Sequence, residues 1–120
     1  GAVAIREFEL ILPALEVLAG GEFADAGASV RDLIPNLRAA LRPRGHDADA
    51  MPRRRDDYFS QKVRNLMCHR TLEKQGLATF VALEGERLGR LRITDKGRTL
   101  LRLAHASARA DGQLALPLHR

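Results

Sequence analysis

The sequence predicts a mainly helical domain with one small β-hairpin, an α+β class. Three observations predict it. Apolar residues recur at helical spacing in four segments. Two short β-rich runs flank a polar, glycine-bounded turn late in the chain. Aromatic residues make up only 4% of the 120 residues and tryptophan is absent, so Leu, Val, Ile and Ala must build the core. At this length one domain is expected, over 1–106, followed by a flexible tail over 107–120.

The first helix is expected over Ile5 to Ala19, where Phe8, Ile11, Leu12, Leu15 and Leu18 share a face. Pro13 lies inside this run, so the helix either bends or restarts near Leu12. Gly20-Gly21 ends it. Glu22 to Ala28 reads as a linker, with Glu22-Phe23-Ala24 a candidate for a very short first strand. Ser29 is a capping residue and Asp32 completes a box-like pattern, opening a second helix with Val30, Leu33, Ile34, Leu37 and Leu41 as its apolar stripe. Pro35 fits that helix best in its first turn. Residues 42–55 have two prolines, a glycine and no periodicity, which makes a long loop.

The third helix is expected over 56–75, with Asp56 and Asp57 at its positive end and Gly76 as a left-handed cap. Phe59, Val63, Leu66 and Met67 fall on one face, and Tyr58, Cys68 and Leu72 roughly opposite. The remaining stripe is Lys62, Asn65, His69 and Glu73, flanked by Arg64 and Arg70. Strands follow at Leu77 to Leu83 and Arg90 to Thr94, around the turn Glu84 to Gly89. The second strand alternates, with apolar residues inward and arginines outward. Thr94 caps a fourth helix whose packing face is read as Leu100, Leu101, Leu103 and Ala104. After Ser107 the helical pattern lapses; the alternation of Leu114, Leu116 and Leu118 suits an added strand or a free tail.

The stretch TLEKQGLATFVALEGERLGRLRITDKGRTLL resembles the recognition-helix tail, wing and following helix of bacterial winged helix-turn-helix domains of the MarR and PadR type. The marks are Leu72-x-x-x-Gly76-Leu77, then Ile93-Thr94-x-x-Gly97 with Leu100-Leu101. With SVRDLIPNL and the long loop upstream, the order over Ile5 to Leu103 is most similar to the N-terminal DNA-binding domain of Mrr-type restriction endonucleases. One departure is that His69 and Asn65 stand where that pattern has apolar residues, which implies a longer or rotated helix.

The resemblance implies a bacterial DNA-binding module, a regulator or the targeting domain of a restriction-like system. Helix 56–75 would enter the major groove and hairpin 77–94 would be the wing. Lys62, Arg64, Asn65, His69 and Arg70 would face bases and phosphates. Arg87, Arg90 and Arg92 on the wing, and Arg53, Arg54 and Arg55 in the loop, would touch the backbone. The competing readings are a solvated helix face, an arginine-rich hairpin surface and a solvated charge run. A winged helix that only docks or dimerises proteins is the alternative function.

Charge agrees with nucleic acid without proving it: 20 basic residues against 15 acidic ones give +5, with an isoelectric point near 10.3. Double-stranded DNA is thus the expected partner, with a homodimer on two half-sites as one assembly open to it. No cofactor, small-molecule ligand or membrane partner is expected. A single cysteine, Cys68, forms no disulfide within the chain and suits a cytoplasmic protein. Cys68 beside His69 is not a nucleophile–base pair on a helix, because neighbours point about 100° apart. His46, Asp47 and Asp49 lack a second histidine at ligand spacing. Gly85-x-x-x-Gly89 lacks the ending of a phosphate loop. No paired-carboxylate-and-lysine cluster is present, so neither cleavage nor another enzymatic activity is expected. The chain opens on Gly1 rather than methionine, which suggests a tag remnant or an excised fragment. Glu7, Glu9 and Glu16 interrupt its first apolar run, unlike a signal peptide.

Overall fold

A computed structural model describes residues 7–45, 58–67, 71–82, 84–85 and 89–119. A 3-10 turn, Glu7–Leu10, leads into α1 (Ile11–Ala19). The short α2 (Phe23–Ala26) precedes α3 (Val30–Leu41) and a 3-10 turn at Arg42–Arg44. Then come α4 (Tyr58–Met67), the strands β1 (Ala78–Val81) and β2 (Arg90–Ile93), and α5 (Asp95–His119). The result is the mainly helical α+β fold that the periodicity predicts.

Pro13 is buried in the first turn of α1, where the missing amide costs no ladder bond, so the helix restarts rather than bends. The strand expected at Glu22–Ala24 is instead the helical turn α2, with Phe23 packed against the core. The strand pairing occurs further on, at Ala28. Its amide donates to Leu91 O at 2.9 Å and its carbonyl accepts from Leu91 N at 2.8 Å.

Ser29 and Asp32 form the full capping box of α3. Asp32 N donates to Ser29 Oγ at 3.2 Å, and Ser29 N donates to Asp32 Oδ2 at 3.3 Å. Helix α3 then buries Leu33, Leu37 and Leu41 along one stripe. Pro35 is not in its first turn but inside it, on the exposed side. The Arg31 carbonyl loses its ladder partner there, at a position where water can replace it. Asn36 Nδ2 donates to the neighbouring Asp32 O at 2.8 Å.

The expected single helix 56–75 is corrected to α4 followed by a turn over 71–76. Leu72 N donates to Leu66 O at 3.0 Å, six residues back, which no α-helical ladder allows. The reason is burial. Phe59, Val63, Leu66 and Met67 already fill the core-facing side of α4, and an unbroken helix would carry Leu72 about 240° round from Leu66. Breaking the helix returns Leu72, fully buried, to the same core. Arg38 of α3 lies over the ring of buried Phe59, 4.8 Å from its centroid, and ties α3 to α4.

The hairpin pairs Ala78 with Ile93, Thr79 with Arg92, Phe80 with Leu91 and Val81 with Arg90. Leu91 and Ile93 are buried and Arg92 is exposed, as the alternation predicts. Helix α5 departs from expectation twice. Of its supposed packing face only Leu101 is buried and Ala104 half-buried, while Leu100 and Leu103 face solvent. The helix also continues to His119, so the backbone around Leu114, Leu116 and Leu118 is helical rather than extended.

The motif residues around Gly76 and Gly97 meet at one junction. Gly76 takes φ +73, left-handed, and turns the chain into the hairpin. Thr94 Oγ1 donates to Gly76 O at 2.6 Å and accepts from Gly97 N at 3.1 Å, capping α5. Thr94 N donates to Leu77 O at 3.1 Å, and Lys96 Nζ donates to Gln75 O at 2.8 Å. Gly97 lies against the Leu77 carbonyl so closely that a Cβ there would overlap the oxygen. The spacing Gly-Leu … Ile-Thr-x-x-Gly is thus the sequence trace of a helix start packed on the base of a hairpin.

Candidate nucleic-acid interface

Helix α4 presents its polar side because its apolar residues are spent on the core. With Phe59, Val63 and Leu66 inward, Gln61 and Arg64 are exposed and Lys62 and Asn65 half-buried. Gln61 Nε2 lies 3.5 Å from Asn65 Oδ1, one turn on, so two amides and a guanidinium share one surface. Gln61 was not among the residues read as candidates; its signal is its spacing three and four positions before Arg64 and Asn65. Side chains of this kind can offer paired donors and acceptors to base edges.

The second basic group lies on the hairpin. Arg92 is exposed opposite Thr79, and Arg90 is half-buried opposite Val81. Neither Arg64 nor Arg92 is ion-paired among the described residues. An open concavity of about 310 Å³ runs beside Arg92, lined also by Asp25, Thr79, Asp95 and Arg98. Its two carboxylates balance its two guanidiniums. Arg98 is held there, with Nη1 3.4 Å from Asp95 Oδ1 and Nη2 3.3 Å from Ala24 O. It is not an anion pocket, because its opposite charges cancel.

The two groups are positioned by different elements. Helix α4 is held by α3 and the Glu7–Leu10 turn, and β2 by α1 and α2. Lys62 and Asn65 do not continue into a stripe with Glu73, because the α-helical ladder is broken by the time the chain reaches Leu72. His69, Arg70, Arg87, Arg53, Arg54 and Arg55 lie outside the described residues, as do Cys68 and the His46, Asp47 and Asp49 group.

Among the described residues no three His, Cys, Asp or Glu side chains gather to hold a metal ion. No described helix is long and apolar enough to cross a membrane. Comparison with protein-family models, curated proteins and solved structures gives no match.

Proposed function

We propose that this chain is a non-catalytic winged-helix module that binds double-stranded DNA, with α4 in the major groove and the β1–β2 hairpin as the wing. The observation that carries the reading is the bridge between Ala28 and Leu91. It adds a one-residue strand to the hairpin immediately before α3. Apart from the single helical turn α2, the order then becomes helix, strand, helix, helix, strand, strand, helix, which is the winged-helix order. Exposed Arg64 and Arg92, on a chain of charge +5, supply phosphate contacts, while Gln61 and Asn65 supply base-edge contacts. A regulator and the targeting unit of a restriction-like system both use such a module.

The test is fluorescence anisotropy with mixed-sequence duplex DNA. If Lys62, Arg64, Arg90 and Arg92 each displace one counterion, the logarithmic salt slope is about −3.6. Affinity then falls roughly 150-fold between about 50 and about 200 mM salt. Lys62→Ala/Arg64→Ala/Arg92→Ala, folded by circular dichroism, keeps one contact and falls only about 3.5-fold over that range. Absence of binding at the lower salt would rule out the DNA reading and leave the protein-docking use of the fold.

A further inference from the structure

We propose that the concavity between α2, the hairpin and the start of α5 binds a small zwitterion, an amino-acid-sized molecule carrying one ammonium and one carboxylate. The site stands without the DNA reading; only its effect on DNA, given below, rests on that reading.

Four elements build its walls. Asp25 lies on α2, Thr79 on β1 and Arg92 on β2, while Asp95 and Arg98 stand in the opening turn of α5. Two carboxylates and two guanidiniums therefore border one space of about 310 Å³. They are not used alike. Asp95 and Arg98 hold each other at 3.4 Å, and Arg98 Nη2 also donates to Ala24 O at 3.3 Å. Asp25 and Arg92 are both exposed, and neither is ion-paired among the described residues. Opposite charges gain by meeting, yet these two stay apart because separate elements hold their backbones. The pairing of β2 with β1 sets Arg92 beside Thr79. Asp25 is set by the turn of α2, where the Ala26 and Gly27 amides donate to the Glu22 and Phe23 carbonyls.

The ligand class follows from that split. A lone anion drawn to Arg92 also meets Asp25 and Asp95, and a lone cation drawn to Asp25 also meets Arg92 and Arg98. A molecule with both charges meets each with its opposite: its carboxylate lies on the Arg92 guanidinium and its ammonium on the Asp25 carboxylate. The Thr79 hydroxyl is across the strand pair from Arg92 and has no hydrogen-bond partner among the described residues, so it can donate to the same carboxylate. Thr94 adds no donor, since its hydroxyl already donates to Gly76 O. A volume of about 310 Å³ is at the lower end for ligand pockets and suits a molecule of amino-acid size. Because both charges are exposed, the affinity is roughly millimolar.

Arg92 is also the phosphate contact proposed for the hairpin. On the DNA reading an occupied site therefore weakens DNA binding, and the zwitterion acts as an effector.

NMR of the full chain, isotope-labelled and without DNA, tests the site. L-serine is titrated from sub-millimolar to tens of millimolar at constant pH and ionic strength. The expected result is saturable amide shifts centred on Asp25, Thr79 and Arg92. N-acetyl-L-serine lacks the ammonium and L-serine methyl ester lacks the carboxylate; each binds about fivefold more weakly, the upper end for one exposed ion pair. Asp25→Asn and Arg92→Gln, each with an unchanged circular dichroism spectrum, lose as much for L-serine, while Arg31→Ala on α3 changes nothing. No saturable shift, an equal response to the two blocked analogues, or full binding by either site variant overturns the proposal. A chain that binds L-serine but not DNA keeps the site and loses only the effector role. One that binds DNA and gives no response to L-serine overturns the site and leaves the DNA reading standing.

Discussion

Gly97→Ala sets two effects against each other, and the structure decides the sign. Alanine is the better helix former by about 1 kcal/mol, so an exposed helical glycine would gain from the change. Here the new methyl would overlap the Leu77 carbonyl oxygen and approach Ile93 Cγ1 to 2.8 Å. The oxygen belongs to the backbone and cannot swing aside. Leu77 O accepts from Thr94 N and Leu77 N donates to Leu72 O at 2.9 Å, so a shift there disturbs the hairpin base as well. Overpacking of this kind costs about 1–3 kcal/mol, and weakening two junction hydrogen bonds about 1 kcal/mol each. After the propensity gain the net loss is about 2–4 kcal/mol, a large share of the roughly 5–15 kcal/mol that holds a domain. Urea unfolding followed by circular dichroism reads it directly. A stability equal to or above wild type would show that helix propensity wins and that the close approach is not a constraint.

Three further outcomes follow from the same contacts. Thr94→Val keeps the shape but removes the hydroxyl bonds to Gly76 O and Gly97 N, and should cost about 1–2 kcal/mol by urea unfolding. Ser29→Ala opens the capping box of α3 and should cost about 1 kcal/mol, while Arg31→Ala beside it, exposed, should cost less than about 0.5 kcal/mol. Phe59→Ala removes a fully buried ring and the seat of the Arg38 guanidinium, and should cost about 3–5 kcal/mol in the same assay.

What was legible in the sequence was whatever depends on near neighbours. The Ser29–Asp32 box, the Thr94 cap, the left-handed Gly76 and the alternation through Arg90–Ile93 each require residues within a few positions of one another. What was misread depends on the rest of the fold. The helix is broken before Leu72 because Leu72 must join a core already lined by Leu66, and no local propensity encodes that. Leu100 and Leu103 scan as a packing face with Leu101, yet only one side of a helix can meet α1. The leucine alternation after Ser107 mimics a strand where the backbone stays helical to His119. Of the candidate residues, Lys62, Arg64 and Asn65 were readable as the polar side of α4, and Arg92 as an outward residue from its alternation. Gln61 was passed over because its surface follows from where α4 begins and which side it buries.

The bridge at Ala28 also bears on how the sheet avoids joining other sheets. At Leu91, strand β2 has neighbours on both sides: Ala28 on one and β1 on the other. The rim of β1 away from β2 has no strand beside it among the described residues. That rim is four residues long, and Gly76 turns the chain away just before it. A template so short offers a growing aggregate few backbone bonds. One alanine in the right register therefore covers part of the second edge of the hairpin.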